Sequence, residues 1–141
     1  MADVANAVFA TDNMGWVRTP EHIRQDYARF TDFDPVRDII MAEVDGKLMG
    51  YVRTSHWIDE NGLLAQGQVG FVHPAFRRRG FGTELVRWVE ERQRNVARHQ
   101  EAVSVHHVFV TEGEISRVAM LSRAGYVSVA PLSAHGARNA R

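Results

Sequence analysis

The sequence predicts one α/β domain, that is, a domain built from both helices and strands. The chain has 141 residues, the length of one domain, and contains no internal repeat or linker that would divide it. Two apolar runs flank an Asp-Gly dipeptide, which favours the turn of a two-residue β-hairpin. Residues 83–100 carry apolar side chains at helical spacing.

The first predicted element is a helix. Thr19 is a suitable N-cap and Pro20 loses no hydrogen bond at the first helical position, so we expect a helix from about Pro20 to Phe30. Residues 1–18 are expected to be only partly ordered, because the run "VANAVFA" is too rich in alanine to indicate a strand. The domain itself is expected to span residues 19–129.

Three strands are predicted next. The runs "IIMAEV" and "KLMGYVRTSHWI" surround the Asp-Gly turn and indicate antiparallel strands over about Ile39–Val44 and Lys47–Trp57. After the "DENG" break, "LLAQGQVGFV" indicates a third strand, in which Gly67 and Gly70 suggest a β-bulge. This strand leads directly into the most informative part of the sequence.

Helices and strands continue to alternate beyond it. Leu85 and Val89 belong to one apolar face of a predicted helix from Thr83 to about Gln100. The run "VSVHHVFV" is short and β-branched, which indicates a strand. A final helix is predicted over "EISRVAMLSRAG", ended by Gly125, and "YVSV" is a candidate last strand. Residues 130–141 show no period and are expected to form a loose tail.

Composition excludes several classes of protein. Apolar residues make up 45% of the chain, but no apolar run approaches the length of about 18 residues that spans a bilayer, so no membrane partner is expected. The N-terminal stretch has no basic residue before Arg18 and resembles no signal or transit peptide, so a cytoplasmic location is expected. Cysteine is absent, which excludes disulfides, thiolate metal sites and a cysteine nucleophile.

Charge is unevenly distributed, although the formal net charge is zero. Residues 1–62 hold eleven acids against six bases, whereas residues 72–98 hold seven arginines against three acids. A nucleic-acid-binding domain usually has a basic excess over its whole length, because many phosphates must be neutralised. A local excess fits a ligand with a few phosphates better than it fits a polymer.

The basic segment begins where the third strand becomes a helix, in the stretch "FVHPAFRRRGFGTELVRWVEER". The start of a helix presents main-chain N–H groups without intrahelical partners, and glycines let an anion approach them closely. Gly80 and Gly82 therefore predict a phosphate site, supported by one or more of Arg77, Arg78 and Arg79. The alternative is an ordinary turn before a helix, with a solvated arginine cluster. Two other phosphate-binding loops do not fit this stretch. The third glycine of a dinucleotide-binding fingerprint is missing, and so is the Lys of a nucleoside-triphosphate-binding loop.

The pattern Arg77-x-x-Gly80-x-Gly82, preceded by Val72-x-Pro74 and followed by a helix, resembles the acyl-CoA signature of the GNAT superfamily of N-acetyltransferases. The resemblance covers roughly residues 19–129. It implies a mixed α/β fold with a mostly antiparallel sheet flanked by helices, here without an evident first or last strand. The chain also resembles one half of a tandem member of the family.

The resemblance implies acetyl-CoA as the cofactor. Main-chain groups of residues 78–83 would hold its pyrophosphate, with Arg77 at the first position of the motif, and the strand before the loop would line the pantetheine and acetyl group. The cofactor-binding residues are thus expected to be Gly70, Phe71, Val72, Arg77, Arg78, Arg79, Gly80, Phe81, Gly82 and Thr83.

The resemblance also implies direct transfer of the acetyl group to a primary amine, on a small molecule or a protein. A backbone N–H near Val72 would stabilise the developing oxyanion, and a general base or a water chain would deprotonate the amine. Glu112 and His107 are the candidate bases, although such a histidine is more often a core residue and such a glutamate a solvated one. The seven histidines show no metal-ligand spacing, so no metal is expected.

Two positions depart from the family pattern. Leu121 stands where the family often has the tyrosine that protonates the leaving thiolate, and Glu114 stands where an asparagine often contacts the coenzyme. A water could serve as the acid, because a thiol pKa is about 8.5. A noncatalytic acyl-CoA-binding domain therefore remains as an alternative, and an RNA-binding module that uses the arginine cluster is a second one.

Partners follow from the same features. The acid excess of residues 1–62 favours a cationic amine as acceptor. A sheet that lacks its terminal strands would expose an edge, which predicts a homodimer or a strand exchange.

Overall fold

In the computed structural model, residues 1–108, 110 and 114–128 are described. They fall into two units, Met1–Val108 and Phe109–Arg141. The first unit contains the sheet, its covering helices and the glycine-containing loop. Helices and strands occur together in it, which confirms the α/β fold class.

The first unit is built on a four-stranded sheet of order β1-β2-β3-β4. Strands β1, β2 and β3 pair antiparallel, and β4 pairs parallel to β3. Asp45 and Gly46 join β1 to β2 with φ of 50° and 76°, the left-handed pair that a type I′ turn requires, so the predicted hairpin is confirmed. The strands are β1 (Ile39–Val44), β2 (Lys47–Ile58), β3 (Leu64–Val72) and β4 (Ser104–His107).

The predicted bulge at Gly67 and Gly70 is wrong. The pairing of β2 with β3 runs without interruption through both glycines, and the register shift lies instead between Ala42 and Glu43 of β1. Packing explains the glycines. A Cβ on Gly70 would lie 2.7 Å from the Cβ of Val52, and one on Gly67 would lie 3.2 Å from the ring of Trp57.

Five helices and a short 3-10 helix occur in the described residues. The α-helices are α1 (Ala2–Thr11), α2 (Pro20–Ala28), α3 (Pro35–Asp38), α4 (Phe81–His99) and α5 (Ile115–Arg123), and the 3-10 helix is Pro74–Phe76. The Thr19 side chain accepts a hydrogen bond from the N–H of His22, 3.1 Å away, which confirms the predicted start of α2. Helix α4 begins two residues earlier than predicted, directly after Gly80.

Helix α1 occupies the segment in which no element was predicted. It buries Ala5, Val8 and Phe9. The Phe9 ring makes an edge contact with that of Phe71 on β3, at 5.3 Å between centroids. The alanine content that argues against a strand is also the signal for a helix, because alanine has the highest helix propensity.

The opposite face of the sheet packs against α4. Val52 of β2 forms a buried cluster with Leu85 and Val89, which confirms the predicted apolar face of this helix. One turn further along, Arg92 donates from Nε to the Oδ1 of Asp38, 2.8 Å away, and Asp38 is buried. Arg92 therefore contributes a charge to this face as well as its aliphatic stem.

The second unit is described through residue 128. Gly125 follows α5 with a φ of 96°, the left-handed conformation of a helix terminator, as predicted. Residues 126–128 form no strand, so the prediction for "YVSV" is wrong over those positions. Residue 129 and the predicted tail lie outside the described residues.

The edges of the sheet are β1 and β4 within the described part of the chain. The homodimer stays a prediction. No helix among the described residues is long and apolar enough to cross a membrane.

Candidate functional site

The turn between β3 and α4 is built from left-handed residues. Arg78 has a φ of 66° and Gly80 a φ of 86°, and Gly80 is the N-cap of α4. A Cβ placed on Gly80 would meet no atom within 4 Å, so the space in front of this turn is open. The chain thus reverses sharply and exposes its main chain where the helix begins.

The main-chain N–H groups of residues 78–83 donate no hydrogen bond within the described residues. The first N–H that α4 uses is that of Glu84, which donates to the Gly80 carbonyl oxygen over 3.1 Å. Free N–H groups at a helix N-terminus also lie at the positive end of the helix dipole. This arrangement can bind a phosphate or diphosphate through the backbone alone.

The three loop arginines differ in their contacts. Both terminal nitrogens of Arg77 donate to the carboxylate of Asp12, each over 2.9 Å. The guanidinium of Arg79 lies 4.9 Å from the ring centroid of Phe76. Arg78 has no ion pair or hydrogen bond in the described part of the chain. The side chain of Arg77 is thus committed to α1, whereas Arg78 can reach an anion at the turn.

Neutralising Asp12 tests this connection between α1 and the loop. We expect Asp12→Asn and Arg77→Met each to lower the free energy of unfolding by about 1 kcal/mol, because the pair is bidentate and half-buried. In a double-mutant cycle measured by urea unfolding, the second substitution should then cost little once the first is present. Additive effects of the two substitutions would show that the pair contributes nothing.

The edge of β3 that faces β4, here called the β4-side edge, adjoins the loop. Strand β4 pairs with β3 only over Leu64–Gly67, and no described strand pairs with residues 68–72 on that side. The N–H of His73 donates to the Met49 carbonyl over 2.7 Å, and hydrogen-bonded pairs alternate along an antiparallel ladder. The N–H groups of Gly70 and Val72 therefore point away from β2, towards the β4-side edge.

The predicted coenzyme residues fall into three contiguous parts of this region. Gly70, Phe71 and Val72 lie at the C-terminal end of β3, beyond the part that pairs with β4. The Phe71 ring packs against Tyr51, 5.8 Å away between centroids, on the α1 side of the sheet. Residues 77–80 form the turn, and residues 81–83 begin α4. The structure thus brings the predicted strand and loop together at one end of the sheet.

Of the two candidate bases, the described residues include only His107. His107 ends β4 opposite Gly67, and its exposed ring stacks on Trp57 at 6.2 Å between centroids, so it is not a core residue. Glu112 lies outside the described residues. In the second unit, Leu121 is buried within α5, and the Glu114 carboxylate accepts a hydrogen bond from Arg117 over 2.9 Å.

Asp12 is a residue of the site that the sequence does not reveal. It contacts Arg77 across 65 positions of sequence, and only the docking of an unpredicted helix brings the two together. The one available signal was charge, since Asp12 is an acid at the end of an alanine-rich segment.

Fold and site together define an α/β domain with main-chain N–H groups that make no hydrogen bond within the described residues where a strand passes into a helix. The sequence model of the Acetyltransferase (GNAT) family matches residues 5–126. The chain belongs to this family, as the signature at Arg77 indicated. No curated protein matches the sequence significantly.

Solved structures share the fold. A GCN5-related N-acetyltransferase from Sphaerobacter thermophilus superposes with a TM-score of 0.70 at 23% identity, over 91% of this chain and 39% of that one. The present chain therefore spans well under half of that protein. Ribosomal-protein-alanine N-acetyltransferase from Brucella melitensis biovar Abortus 2308 gives 0.56 at 18% identity, over 94% and 86%. AAC(6')-Iy, in complex with the bisubstrate analogue CoA-S-monomethyl-acetylneamine, gives 0.62 at 16% identity, over 87% and 83%.

Proposed function

We propose that this chain is an N-acetyltransferase that moves an acetyl group from acetyl-CoA to a primary amine on a small molecule or a protein. The observation that carries the proposal is the set of free N–H groups over residues 78–83, at the start of α4 and within the family signature. Membership of the family and the shared fold support it.

The residues present fit the coenzyme. The N–H groups of the turn would hold its pyrophosphate, with Arg78 as the nearest uncommitted guanidinium and Arg79 resting on Phe76. Glycine at position 80 adopts the left-handed φ of this turn without strain and adds no side chain beside the donors. The β4-side edge of β3 at Gly70 and Val72 would contact the pantetheine and the acetyl group.

The chemistry requires a charge stabiliser and a proton acceptor. Bound acetyl-CoA supplies a thioester carbonyl as the electrophile. The N–H of Val72, which points away from β2, would donate to the carbonyl oxygen as negative charge develops on it. His107 or Glu112 would accept the proton of the attacking amine. Because Leu121 cannot donate a proton, water would protonate the departing thiolate.

A noncatalytic acyl-CoA-binding domain is the second candidate, and Leu121 is the observation that favours it. The two functions share the coenzyme site and differ only in turnover.

A coupled assay separates them. We expect release of free coenzyme A thiol from acetyl-CoA, detected with a thiol-reactive dye, at a rate that rises when members of a panel of primary amines are added. Mass spectrometry should find the acetylated amine in the same reactions. Coenzyme A should also raise the Tm. A Tm increase with no acetylated product from any amine would support the noncatalytic domain, and the absence of both signals would contradict the two functions together.

A further inference from the structure

Arg53 lies among aromatic side chains on the face of the sheet opposite α4. Its neighbour Val52 packs against α4, and successive side chains of a strand alternate between faces. The guanidinium carbon of Arg53 is 4.4 Å from the ring centroid of Phe30 and 5.3 Å from that of Tyr27. Phe33 completes the cluster, with its centroid 5.4 Å from that of Tyr27. These rings and Arg53 are half-buried.

The charge of Arg53 has no carboxylate partner among the described residues. Its guanidinium is in contact with the rings of Tyr27 and Phe30. The neighbouring Arg18 is already paired with Asp26. Burial raises the pKa of Tyr27, so its phenol stays neutral and supplies no negative charge. One guanidinium therefore remains uncompensated in a partly desolvated place.

An unpaired, partly buried guanidinium lowers the stability of the fold. Removing a cation from water carries a penalty that a carboxylate normally offsets, and contacts with aromatic faces recover only part of it. Burial lowers the pKa of Arg53, in keeping with that penalty. A ligand carboxylate would supply the missing partner, because the planar guanidinium matches its geometry with two parallel hydrogen bonds.

The position of Arg53 connects it to the proposed acetyl site. Arg53 is paired with Val69 of β3, and the next pair on the same face is Tyr51 with Phe71. Positions two apart on one face of a strand are about 7 Å from each other. Arg53 thus lies within the length of a small molecule from residues 70–72, where the proposed reaction takes place.

We propose that Arg53 binds a carboxylate of the acceptor, so that the acceptor is an amino-acid-like molecule carrying an amine and a carboxylate. This inference rests on the proposed acetyltransferase function and names its substrate class. The aromatic cluster then serves as the wall of an acceptor subsite, with the rings of Tyr27 and Phe30 packed against the guanidinium.

Matched acceptors test the proposal. Each member of an amino-acid panel is compared with its carboxamide, which has nearly the same shape but no negative charge. For an amino acid that is acetylated, the wild-type protein should prefer the acid in kcat/KM, and Arg53→Met should reduce that preference by about 10-fold to 150-fold, the value of a charged hydrogen-bonded contact. Arg53→Lys, which keeps the charge without the planar fork, should fall between the two.

Arg29→Met is the control, because it removes an exposed arginine next to Phe30 that makes no ion pair in the described chain. It should leave the preference for the acid unchanged. The Tm of Arg53→Met should equal or exceed that of the wild type, since an unpaired charge is lost. A wild-type protein indifferent to the carboxylate, or an Arg53→Met variant with a lowered Tm and an unaltered preference, would overturn the proposal.

A binding measurement without acetyl-CoA keeps this test separate from that of catalysis. In ligand-observed NMR, N-acetyl amino acids should bind the wild-type protein and Arg29→Met, and bind Arg53→Met weakly. Their N-acetyl carboxamides should bind all three weakly. This result would support the carboxylate subsite even if no amine were acetylated, and equal binding of acids and carboxamides to the wild type would refute it.

Discussion

Gly80→Val should remove most of the thermal stabilisation that coenzyme A gives to the wild-type protein. At 100 times its dissociation constant, the coenzyme should stabilise the wild type by about 2.7 kcal/mol, a Tm increase of about 8 °C. Valine at φ 86° would be strained, and relief of that strain would change the conformation of the turn that presents the free N–H groups. If two charged hydrogen bonds are lost, the Tm increase at the same coenzyme concentration falls to about 1 °C.

Gly62→Val is the matched control. Gly62 also has a left-handed φ, 75°, and a Cβ there likewise meets no atom within 4 Å, but it lies in the turn between β2 and β3. Both variants should lose a similar amount of stability without ligand, because the backbone strain is the same. Only the variant at position 80 should lose its response to coenzyme A. Equal responses of the two would mean that the pyrophosphate binds elsewhere.

Gly70→Ala should destabilise the fold by about 2–3 kcal/mol, because a methyl group there has no space. Its Cβ would lie 2.7 Å from the Cβ of Val52 and 2.8 Å from the carbonyl oxygen of Tyr51, and both residues are buried in the sheet. Neither a side-chain rotation nor a small shift of one atom relieves that overlap. Urea unfolding should show a lower midpoint with an unchanged slope.

Gly67→Ala is the comparison on the same strand. Its Cβ would lie 3.2 Å from the ring of Trp57, which is 42% exposed and can move aside. We expect a change of less than about 1 kcal/mol, partly offset by the lower chain entropy of alanine in the unfolded state. A loss as large as that of Gly70→Ala would show that the Trp57 ring is as firmly held as the buried sheet.

Local features of the sequence predicted much of the fold. Asp45-Gly46 fixed the hairpin because only residues tolerant of positive φ complete that turn. Thr19 and Pro20 predicted the start of α2, and the predicted start of α4 lies two residues after the observed one, which directly follows Gly80. Each of these signals depends on the conformation of a few neighbouring residues, which is why a single sequence contains it.

What the sequence did not reveal depends on contacts between distant segments. A glycine within a strand can indicate either a β-bulge or close packing against a neighbouring side chain, and the sequence alone does not distinguish the two. Gly67 and Gly70 were assigned to a bulge, but they are explained by packing against Trp57 and Val52. Likewise, nothing local shows that Arg77 pairs with Asp12, or that Arg53 has no carboxylate partner among the described residues. These facts become visible only once the helices have docked on the sheet.

The bond between Arg77 and Asp12 bears on how ionic strength would act on the proposed coenzyme site. Because Asp12 neutralises Arg77, only the charges of Arg78 and Arg79 would attract an incoming anion over a long distance. Dissolved salt screens that attraction, but it affects hydrogen bonds from main-chain groups within contact distance far less. The affinity for the coenzyme would therefore decrease only slightly as the salt concentration rises. Its salt dependence would resemble that of binding through neutral contacts and not that of a polyelectrolyte complex.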